Sequence, residues 1–195
     1  GSHFRSDIGL AAAEGALVGD AFTISFGNSG KAGAVFTVYS LRHNSGPWYY
    51  TLPAGDAFTE TWPLRGFQDG QYDLRVYGPN GFVRVFRGAN SDTEVSVQCD
   101  AVRRELTLKL VNRSKCACEF SIRDGAYGTD ARSVAVKAGE SAALARSVAA
   151  NHGWYDVEIT VDQDGVFSRR LCGHLDDGKP SRSDPSFGSA REQAI

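Results

Sequence analysis

The sequence predicts an all-β protein made of two tandem immunoglobulin-like antiparallel β-sandwiches. Three observations predict it. The second half of the chain repeats the first at an offset of 84 residues, each copy alternates apolar and polar side chains with a period of two, and each copy carries a Gly-x-Tyr-Asp string before its sixth strand pattern.

The repeat is extensive. ISFGNSGKAGAVFTVY, from Ile24, matches LKLVNRSKCACEFSIR, from Leu108, and TLPAGD, from Thr51, matches AVKAGE, from Ala135. GQYDLRV, from Gly70, falls on GWYDVEI, from Gly153, with a one-residue slip. GPNGFVRVFRG (78–88) and DGVFSRRLCG (164–173) then share a Phe, an Arg two places later and a closing Gly. A period of this size is a whole small domain rather than a solenoid unit. A chain of 195 residues, 42% apolar, is long enough for two such cores.

The expected organisation is a first sandwich over 4–89 and a second over 94–174. RGANSDTE (87–94) has the composition of a linker. Gly-Ser-His at 1–3 resembles a tag remnant, and the polar, turn-rich stretch 175–195 is expected to lie on the surface or be disordered.

Within each copy the paired sequences show which face is inside. Phe22, Ile24 and Phe26 become Leu106, Leu108 and Leu110, whereas Ser25 between them becomes Lys109. Ala34, Phe36 and Val38 become Cys118, Phe120 and Ile122, and the intervening Val35 and Tyr39 become Glu119 and Arg123. Charge is tolerated on one parity only, so the other is core. Tyr72, Leu74 and Val76 match Tyr155, Val157 and Ile159, and Tyr50 and Leu52 match Val134 and Val136. Each copy thus supplies about seven short strands, with the alanine-rich segment at Leu10–Gly15 taken as the first edge strand. Tyr72 and Tyr155, entering the sixth strand after a glycine turn, sit where an immunoglobulin-like sandwich has a tyrosine corner whose hydroxyl bonds nearby backbone.

Arg84 and Arg169 recur between apolar neighbours and need partners. They are either phosphate ligands, since a guanidinium fork matches phosphate oxygens, or structural groups in an ion pair or carbonyl cap involving Asp73 and Asp156 on the adjacent strand. Asn28 and Asn112 occupy the same turn in both copies and are expected to hydrogen-bond local backbone. Cys116, Cys118, Cys172 and His174 can be drawn as a metal site, but their spacing matches no familiar zinc module. Cys99 and Cys172, near the start and end of the second copy, are the expected disulfide if the compartment is oxidising.

The first copy (21–88) holds 14 aromatics and the second (105–173) holds 5. Tyr39, Trp48, Tyr49 and Trp62 are therefore candidates for a lipid- or partner-binding surface, the alternative being that they fill the core or the joint between the sandwiches. Common hydrolase and phosphate-loop motifs are absent, and His43, His152 and His174 have no triad-like neighbours in sequence, so neither catalysis nor a cofactor is expected of this chain. A net charge of −2 gives no general attraction to nucleic acid, and no apolar run is long enough to cross a membrane as a helix.

The runs GNSGKAGAVFTVY, YTLPAG and YDLRVYGPNGFVRVFRG, with the closing RRLCGHLDDGKPSRSDPSFG, resemble the tandem C-terminal domains of secreted bacterial phospholipases C that prefer choline lipids. The second copy departs from the pattern, with DQDG in place of GPNG. The resemblance implies a separate N-terminal catalytic domain of the alkaline-phosphatase-like superfamily, export by the twin-arginine route, and no catalytic residue within this chain. Expected partners are that catalytic domain and a choline-lipid surface, the alternative being a protein- or glycan-binding interaction module unrelated to lipid. The chain itself is expected to be a monomer, and export would favour the disulfide.

Overall fold

A computed structural model describes residues 10–125 and 131–176; the expected tag remnant and residues 177–195 of the expected tail lie outside them. The first repeat contains β1 (Ala11–Val18), β2 (Ala21–Asn28), β3 (Ala34–Tyr39), β4 (Trp48–Leu52), β5 (Ala57–Pro63), β6 (Tyr72–Tyr77) and β7 (Val83–Gly88). The second contains β8 (Thr93–Asp100), β9 (Glu105–Asn112), β10 (Cys118–Asp124), β11 (Ala131–Val136), β12 (Ser141–Ser147), β13 (Trp154–Val161) and β14 (Asp164–His174). The described residues hold no α-helix, only three single 3-10 turns, at Leu64–Gly66, Gln68–Gly70 and Ala149–Asn151.

Every strand pairing is antiparallel. In the first repeat the sheet β1-β2-β5 covers β4-β3-β6-β7, and in the second β8-β9-β12 covers β11-β10-β13-β14. The expected core parity is the buried one: Phe22, Ile24, Phe36, Val38, Leu74 and Val76 are fully enclosed, as are Leu106, Leu108, Leu110, Phe120, Ile122 and Ile159. They form two hydrophobic clusters, one per repeat. Burying a side chain of this size contributes about 2 kcal/mol.

The linker is shorter than its composition suggests. Arg87 and Gly88 finish β7, and Thr93 and Glu94 begin β8 with both side chains buried, so only Ala89–Asp92 connect the repeats. Polar composition misled here because Glu94 is charged yet has a buried cationic partner.

Sequence periodicity gives no account of the joint between repeats. The last strands, β7 and β14, pair antiparallel from Arg87↔Ser168 to Val83↔Cys172 and merge the two four-stranded sheets into one sheet of eight. Each repeat thereby covers the other's exposed edge, which satisfies backbone groups that would otherwise offer a template for aggregation.

Candidate functional site

Two places gather the residues singled out by the sequence, the joint and one loop end of the first repeat. At the joint the arginines exchange partners. Arg84 donates from Nη2 to the Tyr155 hydroxyl of the second repeat at 2.8 Å, and Arg169 donates from Nη2 to the Tyr72 hydroxyl of the first at 2.6 Å. Nη1 of each donates to its preceding carbonyl and to one across the seam: Val83 and Cys172 for Arg84, Ser168 and Arg87 for Arg169, all at 3.0 Å. The guanidinium of Arg84 lies 4.2 Å from the Phe82 ring centroid and that of Arg169 lies 4.3 Å from Phe167, so the shared Phe-x-Arg places a cation over an aromatic face. The shared closing glycine is also explained: a Cβ at Gly88 would stand 2.5 Å from the Tyr72 oxygen, and one at Gly173 equally close to that of Tyr155.

This corrects two expectations. The tyrosine hydroxyls bond the opposite repeat's arginine, not local backbone. The arginines are not partnered by Asp73 and Asp156, which alternate onto the other face of the sheet. There Asp73 is held by Arg75 and Arg87, and Asp156 by both the Nε and Nη2 of Arg170.

The pseudo-symmetry fails at one point. Arg169 makes a two-pronged pair with Glu94, Nε to Oε1 and Nη2 to Oε2, each at 3.2 Å. Arg84 is equally buried, yet its Nε has no acceptor. Glu94 pairs with Val111 one step after Thr93↔Asn112, and the same step after Ala11↔Asn28 in the first repeat is occupied by Ala12.

Asn28 and Asn112 are equivalent in detail. Asn28 Nδ2 donates to the carbonyls of Ala32 at 2.8 Å and Leu52 at 3.1 Å, while Asn112 Nδ2 donates to Cys116 and Val136 at the same distances. In each case Oδ1 accepts from the amide two residues on, Gly30 or Ser114, at 3.0 Å. One side chain thus ties β2 or β9 to the next two turns.

The expected Cys99–Cys172 disulfide is not formed, and none of the four cysteines is disulfide-bonded. Cys172 alternates with Arg169 and Leu171 and so faces the opposite side of the sheet, where its thiol donates to Asp156 at 3.2 Å. Cys99 lies partly buried near Arg84, and burial raises its pKa.

At the loop end, the β3–β4 connection meets the two 3-10 turns after β5. A backbone bridge joins His43 to Phe67, the Gln68 amide donates to the Arg42 carbonyl at 2.7 Å, and Arg42 Nη2 donates to the Gln68 carbonyl at 3.0 Å and to Asp69 at 3.3 Å. The His43 ring meets Trp48 and Phe67 edge-on at 5.2 and 5.1 Å, and Trp48 meets Trp62 at 5.6 Å. Trp62 is only 4% exposed, which removes it from any contact surface, and Trp48 is half-buried against it. The extra aromatics of the first repeat are divided: Trp62 and Phe67 are core, while Tyr49 is 66% exposed on edge strand β4 and Tyr39, also exposed, stands edge-on to Tyr77 at 5.7 Å.

These loops enclose a cleft of about 350 Å³ lined by Leu41, Arg42, His43, Asn44, Arg65 and their neighbours in the second turn. Leu41 is 71% exposed at its lip. Sequence reading passed over Leu41, Arg42 and Arg65 because they are ordinary loop residues; the only signal was their nearness to the aromatic run 48–50. Among the described residues no three His, Cys, Asp or Glu side chains come together as metal ligands would.

The fold defines a paired, edge-sealed β-sandwich unit. The family of the bacterial phospholipase C C-terminal domain matches this chain twice, over residues 7–89 and 93–174, and the chain belongs to that family with two copies of its domain. A non-hemolytic phospholipase C of Burkholderia pseudomallei is 34% identical over 87% of this chain, and one of Pseudomonas aeruginosa is 33% identical over the same share. A hemolytic phospholipase C of Pseudomonas aeruginosa is 27% identical, again over 87% of the chain. The chain spans about a quarter of the length of these relatives, 25 to 26%.

Proposed function

We propose that the chain is the non-catalytic accessory region of a secreted phospholipase C acting on choline phospholipids, and that it holds the catalytic portion of that enzyme against a lipid surface. The observation that carries this reading is the loop end of the first repeat, where exposed Leu41 shares a cleft wall with Arg42 and Arg65. Apolar tips next to cations suit the boundary between acyl chains and phosphate headgroups. The location is compatible with export: the fold is complete without a disulfide, and the enzyme would leave the cell already folded.

The joint favours a second reading, a structural brace. Two repeats fixed by a common sheet and reciprocal buried arginines present a rigid body to a neighbouring domain. The deciding experiment compares the full enzyme with one ending before residue 10, on a soluble phosphocholine ester and on phosphatidylcholine vesicles. Loss on vesicles alone supports surface engagement. Loss on both substrates supports the brace, and no loss on either removes both.

A further inference from the structure

We propose that the cleft between the β3–β4 loop and the turns after β5 is a phosphate-binding site, with Arg42, Arg65 and His43 as donors. The proposal rests on the surface-engaging reading above and gives that surface a ligand chemistry.

Three features point to an oxyanion. First, the donors converge without an excess of acid. Arg42, His43 and Arg65 all line the cleft, no acidic side chain does, and the nearest named carboxylate, Asp69, is outside it and already paired with Arg42. Second, the donors are incompletely used. The Nη2 of Arg42 is occupied by Gln68 and Asp69, but its Nη1 has no protein acceptor among the described residues, and its Nε is buried with none. A buried donor without an acceptor is costly, and an arriving oxyanion that draws the guanidinium toward the cleft offers one. Third, the histidine is oriented as a donor. The Ser45 amide donates to His43 Nδ1 at 3.0 Å, so the neutral ring carries its proton on Nε2. That atom lies beside Gly66 in the cleft wall, where a Cβ would come within 2.9 Å of it, so a glycine at this point is what leaves room for the ring.

The volume, about 350 Å³, admits a phosphate with a small substituent. Leu41 at the lip would then enter the apolar layer beneath a headgroup. The phosphate could belong to a lipid headgroup or be free in solution, and the test separates the two.

Inorganic phosphate is titrated into the chain while the His43 imidazole and the loop amides are followed by NMR, and binding to vesicles of phosphatidylcholine, with and without phosphatidylglycerol, is measured by co-sedimentation. The variants are Arg65→Glu, Asn44→Asp, which keeps size while adding charge, and Arg132→Glu as a control on the exposed face of β11. Saturable shifts confined to the cleft, with phosphate affinity falling about tenfold or more in the first two variants only, are expected. Parallel loss of vesicle binding assigns the site to headgroups, whereas unchanged vesicle binding assigns it to soluble phosphate. Absent saturation, or an equal effect of Arg132→Glu, overturns the site. If the truncated enzyme fails on vesicles while Arg65→Glu changes neither phosphate nor vesicle binding, the cleft is wrong and the accessory role stands; if truncation and substitution both leave every measurement unchanged, both fall.

Discussion

Replacing Glu94 by glutamine tests the asymmetry of the joint. The side chain keeps its size, but Arg169, 1% exposed, loses the only carboxylate it contacts among the described residues. The substituted amide can present one carbonyl oxygen to the guanidinium, and its NH2 group then faces the other N–H as donor against donor. The Tyr72 hydroxyl and the two carbonyls remain, and the four rings around Arg169 supply only weak compensation. Removing one partner of a buried pair costs about 3 to 5 kcal/mol, and the retained neutral bond places the expected loss at the lower end, about 3 kcal/mol. For a chain of this size each kcal/mol moves Tm by roughly 2 to 4 °C, so a fall of about 10 °C is expected in thermal unfolding followed by circular dichroism. Asp100→Asn, which breaks only the surface pair with Arg103 at 3.9 Å, should shift Tm by less than about 2 °C. If Glu94→Gln were as mild as Asp100→Asn, the claim that the repeats are locked by a charge-compensated arginine would be wrong.

Further outcomes follow from neighbouring groups. Ala12→Glu should supply Arg84 with the carboxylate its equivalent has; because Arg84 is already desolvated, a gain of about 1 kcal/mol is expected in chemical denaturation, with Ala12→Gln giving less. Asn112→Ala should cost about 2 kcal/mol, since it leaves the buried Val136 carbonyl, the part-buried Cys116 carbonyl and the Ser114 amide short of their bonds; a denaturation midpoint unchanged from wild type would refute the role assigned to it. Burial raises Tyr72 to about 12 and pushes Tyr155 up as well, so the folded state holds protons that the unfolded chain releases above its ordinary phenol value. Their contribution is therefore complete below about pH 10 and is lost as pH rises toward 12, and phenolate absorbance from these two rings should appear only with unfolding. A thiol reagent should modify exposed Cys116 first, half-buried Cys99 more slowly, and buried Cys118 and Cys172 only in denaturant, where all four should react.

Much of the fold was legible because it depends on side-chain parity, which the duplicated sequence records twice. Where Ser25 could become Lys109 while Ile24 became Leu108, the inner face was identified without coordinates. The shared turn chemistry of Asn28 and Asn112 was legible for the same reason, since its bonds are mostly made to nearby backbone. The candidate site was less so. Composition counted Trp62 and Tyr49 alike as extra aromatics, but strand direction sends one into the core and the other to solvent. The cleft arises from loops 20 or more residues apart, held by the contact of His43 with Phe67, and nothing local in either loop announces the other.

By itself the sequence determined two copies of an antiparallel sandwich, their inner faces and the lack of any familiar catalytic motif. All of these follow from local periodicity and residue type. The tertiary structure decided how the copies meet: β7 beside β14, Arg84 on Tyr155, Arg169 on Tyr72 and Glu94, and Cys172 turned away from Cys99. These contacts join residues separated by as many as 97 positions, and a buried guanidinium accepts any arrangement that satisfies its donors, so only the assembled chain selects its partners.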